Sequence, residues 1–425
     1  MIALIAFIVL LLVGVPISFV LGITTIVYMM TEGNMALLLS APSKLFNGLQ
    51  NFSLVAIPMF VLLGELMNRG GITERLIQFA KVLLGHFRGG LAYVNVAGNV
   101  FLASIIGSAT AQSAVMSKTM VPVMEKEGYP RGFSASLTAS ASIIGPLIPP
   151  SMPFIVYGVT AGASISSLFL AGIIPGILFA LAFGAYIFFV AKKRGYPKSE
   201  RASMKQVWQS ALYVLPALCI PLVILIGVTS GIFTATESAA VSVFIALIVG
   251  SLFYKELKWG HVPGIILRTA ITSASVTFLL ATSDLFGWML NFEMIPQAIT
   301  DVFLTVANNE FTFLLLLNVL LLVIGTVFEG LPALIILTPI LLPAAVSFGV
   351  DPVHLGVIMN INLTLGLISP PVGSVLFVTA ANSGIKVETL ARNVMGLLVF
   401  SYVILLMITY MDWTSLALPK LFLGN

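Results

Sequence analysis

"GPLIPPSMP", residues 145–153, lies inside an apolar run (132–160) long enough to cross a bilayer. It sets a glycine and several prolines where a crossing helix should be most regular. A second such stretch, "GLISPPVGS" at 366–374, interrupts the run 353–382. Proline has no amide hydrogen, so each of these runs must break and leave backbone carbonyls without helical donors. Irregular backbone at membrane depth is tolerated only where protein or a water-filled cavity surrounds it. Two spans broken alike, at matching places, therefore decide the fold.

The rest of the chain agrees with a membrane setting. Of 425 residues, 59% are hydrophobic and 8% charged, and the mean hydropathy is +1.10. A soluble domain carries about a quarter charged residues. The composition predicts an all-α polytopic integral membrane protein lying in a lipid bilayer. The apolar N-terminus lacks a basic leader and is too long for a signal peptide, so it is read as a first retained span. The one cysteine, Cys219, can form no internal disulfide. No basic run with interleaved aromatics is present, which excludes nucleic acid as a partner.

Spanning stretches fall at 4–30, 53–69, 132–160, 166–191, 208–228, 233–254, 263–290, 353–382 and 393–412. Two further stretches, 91–123 and 311–345, are too long for one span. Each has a small or polar centre, "IIGSATAQS" (105–113) and "GTVFEGLPA" (325–333). Both are predicted to be re-entrant helical hairpins. With the N-terminus cytoplasmic, all but Lys44 and Lys420 of the 20 Lys and Arg fall on or near the cytoplasmic side. The opposite loop 291–310 carries Glu293, Asp301 and Glu310 and no Lys or Arg. Residues 70–86 and 294–307 read as short amphipathic helices at the two surfaces.

An offset of 221 residues (370 − 149) superposes the two halves without a gap. It lays Pro122 on Pro343, Gly128 on Gly349, Gly145 on Gly366, Pro149 on Pro370 and Pro150 on Pro371. It also lays one hairpin tip on the other. The first hairpin enters from the cytoplasm and the second from outside, so the repeat is inverted. That pattern belongs to secondary transporters with a site near the midplane.

The chemistry on offer is mild. HExxH, CxxC, GxSxG and GxxxxGK[ST] are absent, so neither catalysis nor ATP hydrolysis is indicated and no cofactor is expected. Ser108, Thr110 and Gln112 on the first tip, Glu329 on the second, and Asn360 and Asn362 before the second break are the candidate substrate contacts. Their hard, mostly neutral oxygens also suit Na⁺ as a coupling ion. Glu329 is the one acid deep in a hairpin. Glu65 and Asp284 read as structural hydrogen-bond acceptors.

"FSLVAIPMFVLLGELMNRGG" (52–71), "IGPLIPPSMPFIVYGV" (144–159), "GIFTATESAA" (231–240) and "ISPPVG" (368–373) together resemble the large membrane subunit of tripartite ATP-independent periplasmic (TRAP) transporters. The likeness covers nearly the whole chain. It implies an elevator-type transporter in a bacterial inner membrane, with a mobile transport domain and a fixed scaffold. It implies two partners, a small four-helix membrane subunit and a periplasmic substrate-binding protein that delivers an organic acid. Scaffold helices would then occupy 1–69 and 206–290, and interfacial arms 70–90 and 291–310. The transport regions would be 91–191 and 311–412, with a basic loop at 192–205 and a tail at 413–425. One sodium site would use Ser108 with the backbone of Gly145, Ile148 and Pro149. A second would use Gly325 or Thr326 with Gly366, Ser369 and Pro370. The first tip departs from a common family pattern: Gln112 stands where many members carry an acid. General likeness leans to sialic acid over a C4-dicarboxylate. Two alternatives stay open at this point: a stand-alone ion-coupled dicarboxylate transporter with no binding protein, and a channel.

Overall fold

A computed structural model describes residues 2–31, 35–198 and 200–424. Among the described residues there are twenty α-helices and no strand, and eight helical stretches are long and apolar enough to cross a membrane. Between 33% and 39% of the most apolar part of each such stretch is buried inside the protein. The outward faces carry large apolar side chains such as Leu181, Phe188, Phe244 and Leu267, as a lipid-facing surface requires.

The N-terminal run 4–30 is not one span. It forms α1 (Ile2–Leu12) and α2 (Ile17–Thr31). Gly14, in the left-handed region at φ 82°, ends α1, and Pro16 follows it. The chain then turns back. Phe19 packs on Phe278, Gly22 faces Thr282, and the Tyr28 hydroxyl donates to Glu293, so α2 rises beside the helix that carries those residues. Phe7 stacks on Phe286, level with the upper part of α2. The Ile2 end of α1 therefore lies on the same face as Thr31. That face is the opposite one from the basic stretch 255–261, and the run 4–30, expected as one span, is two antiparallel helices.

The chain next descends through α3 (Met35–Asn47), a short 3₁₀ turn (Phe52–Val55) and α4 (Ala56–Arg69). A surface helix α5 (Ile72–Leu84) follows, with Ile72, Leu76 and Ala80 buried on one side. The first hairpin is α6 (Gly90–Ile106) and α7 (Ala109–Lys126), turning at Gly107–Ser108. The first broken span is α8 (Arg131–Ala141), the 3₁₀ turn Ser142–Ile144 and, past the break, α9 (Met152–Ala161). Then α10 (Ile165–Arg194), α11 (Met204–Thr229) and α12 (Ala235–Ile248) cross in turn, α12 closing on a π turn (Val249–Phe253). The long α13 (Val262–Phe292) leads to the second surface helix α14 (Ile295–Val306). The second hairpin is α15 (Glu310–Val327) and α16 (Gly330–Ser347). The second broken span is α17 (Pro352–Gly366) and α18 (Ser374–Ser383), followed by α19 (Val387–Tyr410). The expected tail is instead a helix, α20 (Trp413–Leu423), packed on α10 with Thr414, Ser415 and Leu416 buried.

The 221-residue offset runs through the structure. It maps α7 onto α16 end to end, and Arg131, which opens α8, onto Pro352, which opens α17. The cis bonds Pro149–Pro150 and Pro370–Pro371 obey it, and so do Gly128 and Gly349, both left-handed.

Packing sorts the helices into two groups. One contains α2, α3, α4, α11, α12 and α13. Within it Lys44 lies over Trp288, and Arg268 donates to Glu65 at 2.7 Å, which fixes α3 and α4 antiparallel to α13. Arg75 ties α5 to this group through Glu256 (2.8 Å) and the ring of Tyr254. The second group contains both hairpins, both broken spans, α10, α19 and α20. Its two halves are tied across the repeat: Tyr157 donates to the Pro352 carbonyl (2.6 Å) and Asn360 to the Pro146 carbonyl (2.7 Å).

Candidate functional site

Each broken span loses helix hydrogen bonds for a definite reason. The residues four on from Gly145 and Pro146 are Pro149 and Pro150, which have no N–H to give. Pro146 instead accepts from Asn360 Nδ2 and from the Ser151 hydroxyl. In the second half Pro370 and Pro371 stand four on from Gly366 and Leu367. Leu367 accepts from the Val375 amide at 3.0 Å, and Gly366 from Ser369 at 3.0 Å.

Each hairpin tip abuts the break of its own half. A Cβ on Gly107 would meet Pro150 O and Met152 N at 3.6 and 3.5 Å. The Thr326 carbonyl accepts from the Gly373 amide at 3.1 Å. The residues expected from sequence for a first cation site (Ser108, Gly145, Ile148, Pro149) thus lie at one tip and break, and those expected for a second (Gly325, Thr326, Gly366, Ser369, Pro370) at the other. Two hydroxyls of the second set have other partners. Thr326 donates to the Val323 carbonyl, and Ser369 to Leu365 O while sharing a bond with the Tyr402 hydroxyl.

A cavity of about 440 Å³ opens between the two packing groups. Phe60, Gly64, Glu65 and Asn68 of α4 line one wall, with Thr272 and Val276 of α13. The other wall holds Ser108 to Ala111 on the first tip, Pro146, Met152 and Pro153 past the first break, Glu329 to Leu331 on the second tip, and Asn360 and Thr364 on α17. The cavity lining extends along α4 as far as Asn68. Three helix N-termini converge on it. Ser108 caps α7 by accepting from the Ala111 amide, Ser151 caps α9 by accepting from Phe154, and Glu329 precedes α16 without capping it. Helix N-termini carry unpaired N–H groups and about half a positive charge each, a favourable setting for an anion.

Four of the six predicted substrate contacts meet here: Ser108, Thr110, Glu329 and Asn360. Gln112 and Asn362 do not. Thr110 and Gln112, like Asn360 and Asn362, stand about 200° apart around their helix, and the packing of each helix turns the second of the pair away from the cavity. Gln112 is fully buried against Gly145 and donates to Asn99. Asn362 faces α15 and donates to Asn318 Oδ1 at 2.6 Å. Glu65, read from sequence as a structural acceptor, lines the cavity while paired with Arg268. Asp284 lies against Gly48, away from it. Sequence reasoning missed Asn68, Thr272 and the bonded Pro146 carbonyl. The first two lie on helices that carry no break, and nothing in their local pattern marks them. Among the described residues no group of three or more His, Cys, Asp or Glu is placed to hold a metal.

Residues 4–414 match the family model of the tripartite ATP-independent periplasmic transporter, DctM component. The sialic acid TRAP transporter large permease protein SiaM of Vibrio cholerae is 39% identical over 97% of this chain and 96% of its own. The C4-dicarboxylate TRAP transporter large permease protein DctM of Pseudomonas aeruginosa is 36% identical over 92% of this chain and 93% of its own. The isethionate TRAP transporter permease protein DctMQ of Oleidesulfovibrio alaskensis is 39% identical over 97% of this chain, which spans 65% of that relative. In fold the chain is also similar to the YdaH transporter of Alcanivorax borkumensis, at a TM-score of 0.64, 13% identity and 88% coverage of both chains. A broken-helix cavity flanked by inverted hairpins defines a transporter permease. The chain belongs to the DctM-component family of TRAP transporters, and it is a multi-pass membrane protein.

Proposed function

We propose that this chain is the translocating subunit of a sodium-coupled uptake system for an organic acid such as a sialic acid or another carboxylate. One observation carries the reading: three helix N-termini converge on a single cavity among described residues whose two breaks offer neutral oxygens. The N-termini suit the carboxylate, and the break carbonyls and Ser108 suit a dehydrated Na⁺. The ion sites are the two tip-and-break sets given above. The cavity lies at the seam between the two packing groups, which supports an elevator in which the hairpin group slides against the other. The partners are a small membrane subunit and a periplasmic binding protein, and the setting is a bacterial inner membrane.

Uptake by all three components in proteoliposomes tests this. Uptake is expected with an inward sodium gradient and not with a pH gradient alone. Equal uptake from a pH gradient without sodium overturns the ion assignment. Crosslinks between α4 or α13 and either hairpin are expected to abolish uptake. Full uptake with several such crosslinks in place overturns the elevator.

A further inference from the structure

The first break carries a feature outside the cavity. Asn95, Asn99 and Gln112 are all 0% exposed. Gln112 donates Nε2 to both the backbone carbonyl and Oδ1 of Asn99, each at 2.8 Å. Asn99 donates Nδ2 to the backbone carbonyl and Oδ1 of Asn95, at 2.9 and 3.0 Å. Asn95 donates to Thr138 Oγ1 at 2.6 Å, and Thr138 donates onward to the Ser134 carbonyl. Every amide nitrogen in this chain points away from the break and every side-chain oxygen toward the next member.

The chain ends on Gln112 Oε1. This oxygen is buried, has no hydrogen-bond partner, and lies against Gly145. A buried acceptor left unpaired loses its hydration with no bond in exchange. Its neighbours compound the need. The Gly145 carbonyl lost its helical donor to Pro149, and Ser108 caps α7 one turn before Gln112. Gln112 Oε1 is the free end of three side-chain amides joined in one hydrogen-bonded chain, set against a break whose backbone carbonyls are the other acceptors at hand.

We propose that Gln112 Oε1 is a ligand for a small hard cation at the first break, and that Asn95 and Asn99 are positioning residues that hold this oxygen in place. The inference rests on the sodium reading and extends it to a side chain expected from sequence to touch substrate. A bound water would satisfy Gln112 Oε1 equally, and the test separates the two.

The large permease is purified with its small membrane subunit, and its thermal unfolding is followed as NaCl replaces choline chloride at constant chloride. The unaltered protein is expected to gain stability along a saturable sodium curve. Gln112→Met keeps the volume and removes the oxygen, and should move the sodium midpoint up by about tenfold. Asn95→Leu leaves every group at the break in place, and should move it by about threefold through lost alignment. Gln112→Glu should lower the midpoint and make it pH-dependent, which the parent is not. It decides the matter if Gln112→Met fails to fold. Sodium midpoints in both Gln112 variants equal to the parent's, with no pH dependence, mean water only and overturn the inference while leaving sodium coupling intact. No sodium response in the parent overturns the coupling itself.

Discussion

The two breaks have the same backbone plan and different neighbours. At Gly145 the missing side chain makes room for the amide end of Gln112, a movable group. At Gly366 it makes room for the backbone of Gly325, and α15 and α17 touch main chain to main chain. The Pro146 carbonyl is held by a side chain from the other half, Asn360, whereas its counterpart Leu367 is held by an amide of its own half. The first tip presents a neutral Ser108 to the cavity and the second an acid, Glu329. Inverted symmetry thus sets where chain breaks occur, while side chains make one break an adjustable polar site and the other a close-packed joint.

The largest effect expected from this contrast is that of Gly366→Ala. A methyl group there overlaps backbone that cannot step aside, so folding should lose about 3 kcal/mol or more. Monodisperse protein should nearly vanish on size-exclusion chromatography. Gly145→Ala presses chiefly on the side-chain amide of Gln112, with the Ser142 carbonyl at 3.1 Å, so that variant should fold and show a weakened sodium response. Equal losses at the two glycines would erase the distinction.

Asn360→Leu comes next. It leaves the Pro146 carbonyl with the Ser151 hydroxyl alone and cuts a tie between the halves. A loss of about 1–3 kcal/mol is expected, read as a lower unfolding temperature together with about tenfold slower uptake. Unchanged uptake and stability would show that the first break stands without help from the second half.

Glu329→Gln should reduce uptake by less than about tenfold and leave it sodium-dependent, because the ion ligands proposed are hydroxyls, carbonyls and an amide that do not titrate. Loss of all uptake, with a proton gradient taking over as the driving force in the parent, would make the second tip the coupling site instead.

The smallest effect belongs to Tyr402→Phe. It removes the partner of Ser369 at 2.8 Å but leaves that hydroxyl bonded to Leu365. A shift of about threefold in the sodium midpoint is expected. A shift as large as that of Gln112→Met would place the more sensitive ion site in the second half.

Much of this plan was legible before any coordinates. Hairpins declared themselves by excess length with a small or polar centre, and breaks by prolines that withhold N–H groups. The 221-residue offset related them because both glycine and proline mark backbone, which symmetry preserves. The fold-back of α1 on α2 was hidden because hydropathy has no direction, although Gly14 followed by Pro16 is a helix-stop signal. Which polar residues face the cavity was harder. Gln112 and Asn362 stand two positions from residues that do line it, and only the rotation of each helix in its packing decides which is which. Arg268 and Glu65 meet from 203 residues apart, a pairing no local pattern displays.

The fold-back has a practical side. With the basic loops cytoplasmic, a reporter joined ahead of Ile2 is expected on the opposite, outer face of the membrane. Alkaline phosphatase, which needs an oxidising compartment, should be active there, and green fluorescent protein exported through the general secretory route should stay dark. A reporter inserted near Arg201, in the basic loop after α10, should behave in the reverse way. Anyone attaching an affinity tag or a dye to this end should therefore plan for a handle on the face opposite the basic loops.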